Sequence, residues 1–349
     1  MTTLLGLALD GYGWHPSQDK HANGPLTGKY WTEQVQLAER GLLDFVTFED
    51  SFARTPGGRL DAVLTAARVA PATTHIGLIP TAPATHNEPF HISKAIATLD
   101  IVSGGRAGWQ VTIADTEEEA DAFGRTKVLP LQDLLDEAAD VVEVTRRLWD
   151  SWEDDAEIRD LDTGRFIDRE RLHYVDFEGR FFSVKGPSIT PRSPQGQSVV
   201  AALARSRPGQ VFAAKNADIV FVTPHDGASA AEIPARLHNT SSHRIIKVLA
   251  DLVVAFGRDD EFHSDAAIFT GSAAELADLI GQWHEWGIDG LRLRPAVNAL
   301  DIPVIVDELV PLLQARHGFR TQYEAGASET LRARFGLPTA TNRYARKSA

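Results

Sequence analysis

Polar side chains recur in this 349-residue sequence at the points where short apolar runs end. A dense group that includes His86 and Asn87 follows the apolar run of residues 75–80. In parallel α/β folds the chemistry lies at the strand ends, because the loops there face a crevice that the sheet does not fill. The candidates at such run ends are Asp10, Tyr12, His15, Glu49, Asp50, Thr81, Thr85, His86, Asn87, Gln110, Thr112, Asp115, Arg205, Ser206, Thr223, His225, Arg292 and Arg294.

This set contains many neutral hydrogen-bonding groups and few paired carboxylates. Such a composition favours binding of a large, planar, polar cofactor over acid–base hydrolysis, although the rim of any α/β barrel is polar. Asp50 is a candidate acceptor for a ligand N–H, and its alternative role is to cap the next helical turn. His15 and His86 are candidates for contact with a reacting molecule, and the alternative for each is a structural residue of a loop or turn.

Ser206 precedes a predicted short helix in the segment ALARSRPGQ. The first turn of a helix has free backbone N–H groups and a positive potential, so a phosphate could bind there together with Ser206, Arg205 or Arg207. A serine before a helix is also an ordinary N-cap.

The sequence lacks the motifs that several other chemistries require. The sequence has no cysteine, no HExxH or clustered metal ligands, no GxSxG and no GxxxxGK[ST], so no metal site is predicted, and serine-hydrolase and P-loop functions have no support. A formal net charge of −13 argues against nucleic-acid binding. No apolar run is long enough for a membrane span, and the N-terminal segment lacks the features of a signal peptide, so we expect a cytoplasmic protein.

The elements that must position these residues alternate regularly along the chain. Eight strand-like apolar runs are each followed by a helical segment, with the pattern least clear at residues 233–247. Parallel strands in that number, with right-handed crossovers, close into a (β/α)8 TIM barrel. The alternative, a doubly wound sheet, would normally show a glycine-rich phosphate turn after the first strand, and Gly11 and Gly13 do not complete one.

Residues 1–317 are predicted to form this single barrel domain. Residues 153–197 interrupt the alternation and contain a predicted β-hairpin at residues 174–184, so they form an insertion after the fourth helix that is too small for a core of its own. The C-terminal tail, residues 318–349, is expected to pack on the barrel or on a partner subunit.

The sequence resembles the bacterial-luciferase-like, flavin-dependent monooxygenases, in particular their nitrilotriacetate/alkane monooxygenase branch. Four blocks carry the resemblance in the right order: NEPFHISKAIATLDIVSGGRAGW, LWDSWEDDA, HYVDFEGRFFSVKGPSITPRSPQGQ, and a tail with FRTQYE, LRARFGLP and NRY. The resemblance implies a (β/α)8 barrel that binds FMN at its C-terminal face. It also implies FMNH2 supplied by a separate NAD(P)H-dependent reductase, O2 as co-substrate, and a small organic substrate. Some relatives use the deazaflavin F420 for hydride transfer instead.

The resemblance also assigns cofactor-binding residues. Asp50 and Thr81 match positions that end strands two and three, and Gln110 falls where this branch usually has Asn. Ser206 and Gly209 match the Ser and Gly of the family's phosphate motif, in which Arg205 and Arg207 are additions.

Other positions depart from the family pattern. Thr112 begins the segment that replaces a Val-Thr-Ser sequence, and Leu135 stands where the branch has a flavin-contacting Tyr. The added arginines could hold the phosphate, or the longer acidic tail of F420.

The sequence therefore predicts a two-component FMNH2-dependent monooxygenase. The alternatives are an F420-dependent oxidoreductase on the same barrel, and a non-catalytic flavin-binding relative with a degenerate site. His15 and His86 are the candidates for hydrogen bonds near the reactive part of the flavin. Family members are commonly dimers or tetramers, so a homodimer or homotetramer is expected.

Overall fold

The computed structural model describes residues 3–16, 24–55, 57–124, 127–242, 244–258, 262–324 and 329–345. Its main sheet contains a closed barrel of eight parallel strands, as predicted, and the short strand Ile268–Phe269 is added beside it. The strands are β1 (Leu4–Leu9), β2 (Phe45–Phe48), β3 (Gly77–Pro83), β4 (Gly108–Thr112), β5 (Val199–Leu203), β6 (Ile219–Val222), β7 (Lys247–Val254) and β8 (Gly290–Pro295). Each strand pairs with the next along the chain, and β1 closes the barrel by pairing with β8.

The barrel is surrounded by helices that follow the strands. They are α1 (Gly28–Arg40), α2 (Ala62–Val69), α3 (Pro89–Val102), α4 (Leu131–Asp150), α5 (Arg207–Asn216), α6 (Gly227–Thr240), α7 (Ala273–Glu285) and α8, which runs from Asn298 to His317 through a π-helical turn at Ile305–Leu309. Short polar side chains begin many of them: Thr27, Asp61 and Ser272 accept from backbone N–H groups of the first turn. No helix in the described part of the chain is both long and apolar enough to cross a membrane.

The lower half of the barrel interior is an apolar core. Phe45, Ile79 and Phe221 alternate with outward-facing residues along their strands and meet inside the barrel. Leu331 and Phe335 of the C-terminal tail join this cluster from below, where the short helix Leu331–Arg334 covers the barrel. The polar network of the barrel interior lies above this apolar layer, towards the C-terminal ends of the strands.

The insertion after α4 contains two hairpins. Phe177–Glu178 pairs with Ser183–Val184 within the predicted hairpin segment, and Glu157–Asp160 pairs with Arg165–Ile167 in a segment for which no strands were predicted. The tail residue Asn342 donates to the carbonyl oxygens of Asp150 and Trp152 at 2.9 and 2.7 Å, which holds the tail against the start of the insertion.

Candidate active site

A buried ion-pair network occupies the upper half of the barrel interior. Asp251 on β7 and Arg292 on β8 are register partners, and the Nε and Nη2 atoms of Arg292 donate to the two carboxylate oxygens of Asp251 at 2.7 and 2.5 Å. Arg294, two residues further along β8, also donates to Asp251. All three side chains have no solvent exposure. The side-on pairing satisfies the guanidinium geometry of Arg292 and fixes its plane.

Strands β2 and β4 complete this layer. Nη1 of Arg292 donates to Glu49 at 3.0 Å and to Thr47 at 3.2 Å, and it also donates to Oε1 of Gln110. The Nε2 atom of Gln110 donates to Glu49 at 3.1 Å. Below them, the ring of Phe221 lies 3.9 Å from the Arg292 guanidinium carbon. The floor of the barrel mouth is therefore a rigid, hydrogen-bonded platform.

A second layer of ion pairs lies nearer the rim. Arg294 and Arg205 both contact Asp265 at 2.6 Å, and the Arg294 guanidinium stacks on the ring of Trp14. On the other side, Arg59 pairs with Asp10 at 2.8 Å and donates to the carbonyl oxygen of Glu49. Each of these arginines already has a carboxylate partner.

Burial and charge act in opposite directions on these carboxylates. Burial acts to raise the pKa of Asp251, but Arg292 and Arg294 overcome it and hold that pKa below its usual value. For Asp10, burial is the larger effect, and its pKa is raised despite the contact with Arg59. Burial acts to lower the pKa of Arg294, but Asp251 and Asp265 raise it above its usual range. Asp251 and Arg294 are thus permanently charged at neutral pH.

Thr81 presents an unpartnered hydroxyl in the same region. It lies on β3 two residues after Ile79, which faces the interior, and it is paired in register with Gln110. The side chain is 1% exposed, yet its Oγ1 atom has no hydrogen-bond partner. Buried polar atoms are nearly always hydrogen-bonded, so this hydroxyl is available for a hydrogen bond with a bound molecule. Thr112, which ends β4 at the rim, is half-buried.

Two of the other predicted cofactor contacts make local hydrogen bonds. The carboxylate of Asp50 accepts from the backbone N–H groups of Ser51 and Ala62, both at 2.9 Å, and so it anchors the start of α2. Burial raises the pKa of this carboxyl group, and these N–H groups oppose the change. Ser206 is the N-cap of α5 and accepts from the N–H of Gly209 at 3.2 Å. Asp50 and Ser206 therefore show the capping alternative that the sequence left open.

The two candidate histidines lie in separate aromatic groups on the loops above the barrel. The ring of His15 packs edge-on against Phe262, with 4.7 Å between ring centroids. His86 has a positive φ of 63° and packs against Phe123, which in turn contacts Phe52. His86 follows β3 and His15 follows β1, so the structure does not pair the two histidines with each other.

The structure thus joins four predicted residues, Glu49, Gln110, Arg292 and Arg294, into one network. Sequence reasoning missed their partners Asp251, Asp265 and Arg59. Asp251 had a usable signal, because an aspartate inside the otherwise apolar run of residues 248–256 requires a cationic partner. Among the described residues, no group of three or more acidic or histidine side chains could hold a metal ion.

A closed (β/α)8 barrel with a buried polar network at its C-terminal mouth is the scaffold of an enzyme that binds its ligands at that mouth. Residues 13–261 match the model of the luciferase-like monooxygenase family, and the chain belongs to that family. It is therefore an oxidoreductase of the monooxygenase type.

Two curated relatives align over nearly their whole length. The chain is 30% identical to N-acetyl-S-(2-succino)cysteine monooxygenase of Bacillus subtilis (strain 168), over 98% of both chains. It is 29% identical to nitrilotriacetate monooxygenase component A of Aminobacter aminovorans, over 96% of this chain and 95% of that one. A crystal structure of riboflavin lyase, with a modified FMN and its substrate riboflavin, superposes with a TM-score of 0.85 at 24% identity, over 97% of both chains.

Proposed function

We propose that this chain is the oxygenase of a two-component, FMNH2-dependent monooxygenase that acts on a small organic substrate. Family membership supports this proposal, and so does the similarity to nitrilotriacetate monooxygenase component A, whose name describes one component of a larger system. The observation that carries it is the buried, unpartnered hydroxyl of Thr81 at the barrel mouth. A polar ring system above the platform would give this hydroxyl a partner.

The donor set at the mouth fits FMN. Thr81 would contact the ring system, with Thr112 beside it on the neighbouring strand. Ser206 accepts one hydrogen bond and can still donate its own hydroxyl hydrogen to a phosphate. Arg207, on the first turn of α5, is exposed and has no ion-pair partner among the described residues, so it can bind a phosphate without breaking a contact.

Of the two added arginines, we propose Arg207 rather than Arg205 as the phosphate contact. Arg205 pairs with Asp265, and although this pair is exposed and weak, binding through Arg205 would leave Asp265 with one partner fewer. Gln110 is committed to Arg292 and Glu49, and we propose that it supports the platform under the ring system. Asp50 positions the loop that follows β2.

Reduced flavin, when bound, supplies the two electrons that allow one atom of O2 to enter the substrate while the other leaves as water. The role of this chain is to bind and orient the flavin and the substrate, and to exclude water from them. The platform of Arg292, Asp251 and Glu49 fixes the floor, because each member is held by at least two contacts. We propose that His15 and His86 offer ring N–H groups from the loops, close to the reacting atoms.

An anaerobic titration with FMNH2, and in parallel with reduced F420, tests this function. We expect FMNH2 to bind and to raise the melting temperature. A preference for F420 would instead support hydride transfer, with Arg205 and Arg207 as contacts for its acidic tail. Binding of neither cofactor would favour a degenerate, non-catalytic relative.

The role of Arg207 has a more specific test. We expect Arg207→Ala to weaken FMN binding and to leave the binding of riboflavin, which lacks the phosphate, unchanged. Arg316→Ala is the matched control, because Arg316 is a half-exposed arginine on α8, paired with Asp278 on α7 away from the strand ends. Equal losses for FMN and riboflavin would contradict a phosphate contact.

The partners follow from this function. We propose that a separate NAD(P)H-dependent flavin reductase supplies FMNH2, by diffusion or transient contact, and that the reaction takes place in the cytoplasm, where that reductant is available. The relatives named above act on different compounds, so their names leave the substrate of this chain undefined.

A further inference from the structure

The arginines of the network at the barrel mouth are already neutralised. Arg292 and Arg294 share Asp251, and Arg292 also contacts Glu49. Arg294 and Arg205 share Asp265, and Arg59 is paired with Asp10. Recognition of a carboxylate substrate needs an arginine or lysine whose donors are free. The four arginines of this network are balanced by four carboxylates, so the network has no positive charge to spare.

The rest of the described rim is acidic. The segment after β4 contributes Asp115, Glu117 and Glu118, all exposed, and Asp50 lies on the loop after β2. The exposed arginines there are Arg54, whose backbone N–H donates to Glu118 beside this acidic segment, and Arg207, which we assign to the flavin phosphate. The chain as a whole carries a formal charge of −13. A substrate with several negative charges would be repelled on approach as well as at the mouth.

Two groups of aromatic side chains lie on either side of the charge-balanced arginine–carboxylate network. On the loops after β2, β3 and β4, Phe52, His86 and Phe123 pack together, and 43% of the Phe123 side chain is exposed. On the loops after β1 and β7, His15 packs against Phe262, and Trp14 lies nearby under Arg294. Such surfaces bind apolar or aromatic groups well and gain nothing from a formal charge.

The polar contacts that remain suit a neutral acceptor. The Nε atom of Arg294 is fully buried and has no acceptor, although both terminal nitrogens of that guanidinium are engaged. One N–H of an arginine whose charge is already compensated can donate a hydrogen bond to a carbonyl, ether or sulfoxide oxygen. A carboxylate would need a second donor and an uncompensated positive charge.

We propose that the substrate of this site is an uncharged, largely apolar molecule with at most one or two neutral hydrogen-bonding groups, and not a polycarboxylate. This inference rests on the proposed function, because it places the substrate at the same mouth as the flavin. The overall reaction is then substrate plus O2 plus FMNH2, giving the mono-oxygenated substrate, water and FMN. One oxygen atom enters the substrate, and the two electrons and two protons of the reduced flavin convert the other to water.

The test uses pairs of compounds that share a skeleton and differ in charge. Dimethyl thiodiglycolate and thiodiglycolate form one pair, and small thioethers, ketones and arenes with their carboxylated analogues form the others. Binding is measured by thermal shift and calorimetry, first without flavin and then with FMN, and turnover is measured with a flavin reductase and NADH. We expect the neutral members to bind at least about tenfold more tightly, which is the effect of one unfavourable charge contact.

Preferential binding of the carboxylated members, or binding of no neutral member, would overturn the inference. These results are distinguishable from a failure of the proposed function, which the separate FMNH2 titration reports. If FMNH2 does not bind but the flavin-free protein still prefers neutral compounds, the proposed function is wrong and the proposed ligand class is supported. If FMNH2 binds and carboxylates are preferred, only the ligand class fails.

A charge-release variant gives a second test. Asp265→Asn removes a carboxylate from both Arg294 and Arg205, while the pairing of Arg294 with Asp251 keeps Arg294 in place. We expect this variant to bind the dicarboxylate about tenfold more tightly than the parent protein, with little change for the diester. Asp278→Asn, which removes the partner of Arg316 away from the mouth, should change neither affinity. An unchanged affinity of Asp265→Asn for the dicarboxylate would count against the inference.

Discussion

Arg292 and Asp251 form a side-on ion pair across neighbouring strands in the closed interior of the barrel, and neither side chain has any solvent exposure. Their backbones are register partners in β7 and β8, so the sheet itself sets the distance between them. Removing two charges from water is expensive, and the cost is met only if each charge keeps its partners. The pair therefore fixes the geometry of the mouth more than it adds stability.

We expect Arg292→Met to destabilise the protein by about 3–5 kcal/mol, because Asp251 would keep only Arg294 to compensate its buried charge. The double variant Arg292→Met/Asp251→Leu should be less destabilised than the sum of the two single variants. Equilibrium unfolding in urea measures both effects, and additive losses would mean that the pair is not coupled.

An exposed pair provides the control for this prediction. Arg40 on α1 contacts Asp307 at 2.7 Å, but both side chains are more than half exposed. Water and salt screen such a pair, so Arg40→Met should cost less than about 1 kcal/mol. A loss as large as that of Arg292→Met would show that burial is not what makes the interior pair important.

The barrel itself could be predicted from the sequence, because hydrophobic periodicity and the residues that end helices and strands are local properties of the chain. Helix α3 (Pro89–Val102) has a proline in its first turn, and β1 is the apolar run Leu4–Leu9, so both elements have local signals. Helix α6 was left unclear, since its start depends on a capping box between Asp226 and Ser229 rather than on an apolar stripe. The short helix Glu117–Ala122 was missed because its first three residues are all glutamates, without an apolar stripe.

The candidate site could be predicted only in part. Gln110, Arg292 and Arg294 were recognised as residues at strand ends, since parallel strands bring their ends to one edge. Their contacts with Asp251 and Asp265 join residues that are distant in the chain or lie in a loop without periodic pattern, and no local signal specifies such pairs. Because successive side chains of a strand point to opposite faces, Arg292 and Arg294 lie on the same side of β8.

The pH dependence of stability follows from the lowered pKa of Asp251. Burial opposes this shift, but Arg292 and Arg294 hold the folded-state pKa below the ordinary value of 3.8. A carboxyl group of this kind stabilises the fold above its unfolded pKa and loses that contribution as the pH falls towards its folded pKa. The stability difference between the parent protein and Asp251→Asn should be constant from about pH 7 to about pH 5 and should shrink below about pH 4. Urea unfolding at each pH measures it, and a difference that grows on acidification would reverse the assigned direction.

Thr81→Val tests the unpartnered hydroxyl at the mouth. Valine has nearly the same shape, and the hydroxyl makes no hydrogen bond in the protein alone, so stability should be unchanged or slightly raised. If the hydroxyl contacts the cofactor, the affinity for FMN should fall about three- to tenfold, which corresponds to one neutral hydrogen bond. Flavin titration and thermal melts measure the two effects separately.

Thr145→Val is the matched control for that substitution. Thr145 lies on α4, is fully buried, and also has an Oγ1 atom without a partner, but it is on a helix outside the barrel. We expect the same small effect on stability and no change in FMN affinity. Equal FMN affinities for the Thr81 and Thr145 variants would remove the main support for a flavin contact at Thr81.

Helices α2 and α3 share an uncharged apolar face, at which we expect two copies of the chain to associate. Leu64 on α2 is 70% exposed and Val102 on α3 is 53% exposed, and the groove between the two helices is lined without any charged side chain. Two copies that each carry a net charge of −13 repel one another, so we propose that they meet at this face, where no like charges are opposed. Leu64→Glu should then convert a dimer or tetramer into a smaller species, as measured by light scattering.

Leu161→Glu is the control for this substitution. Leu161 is 94% exposed and lies in the insertion, so its replacement should leave the mass unchanged. A parent protein that is already monomeric, or an unchanged mass for Leu64→Glu, would contradict the assignment of this face.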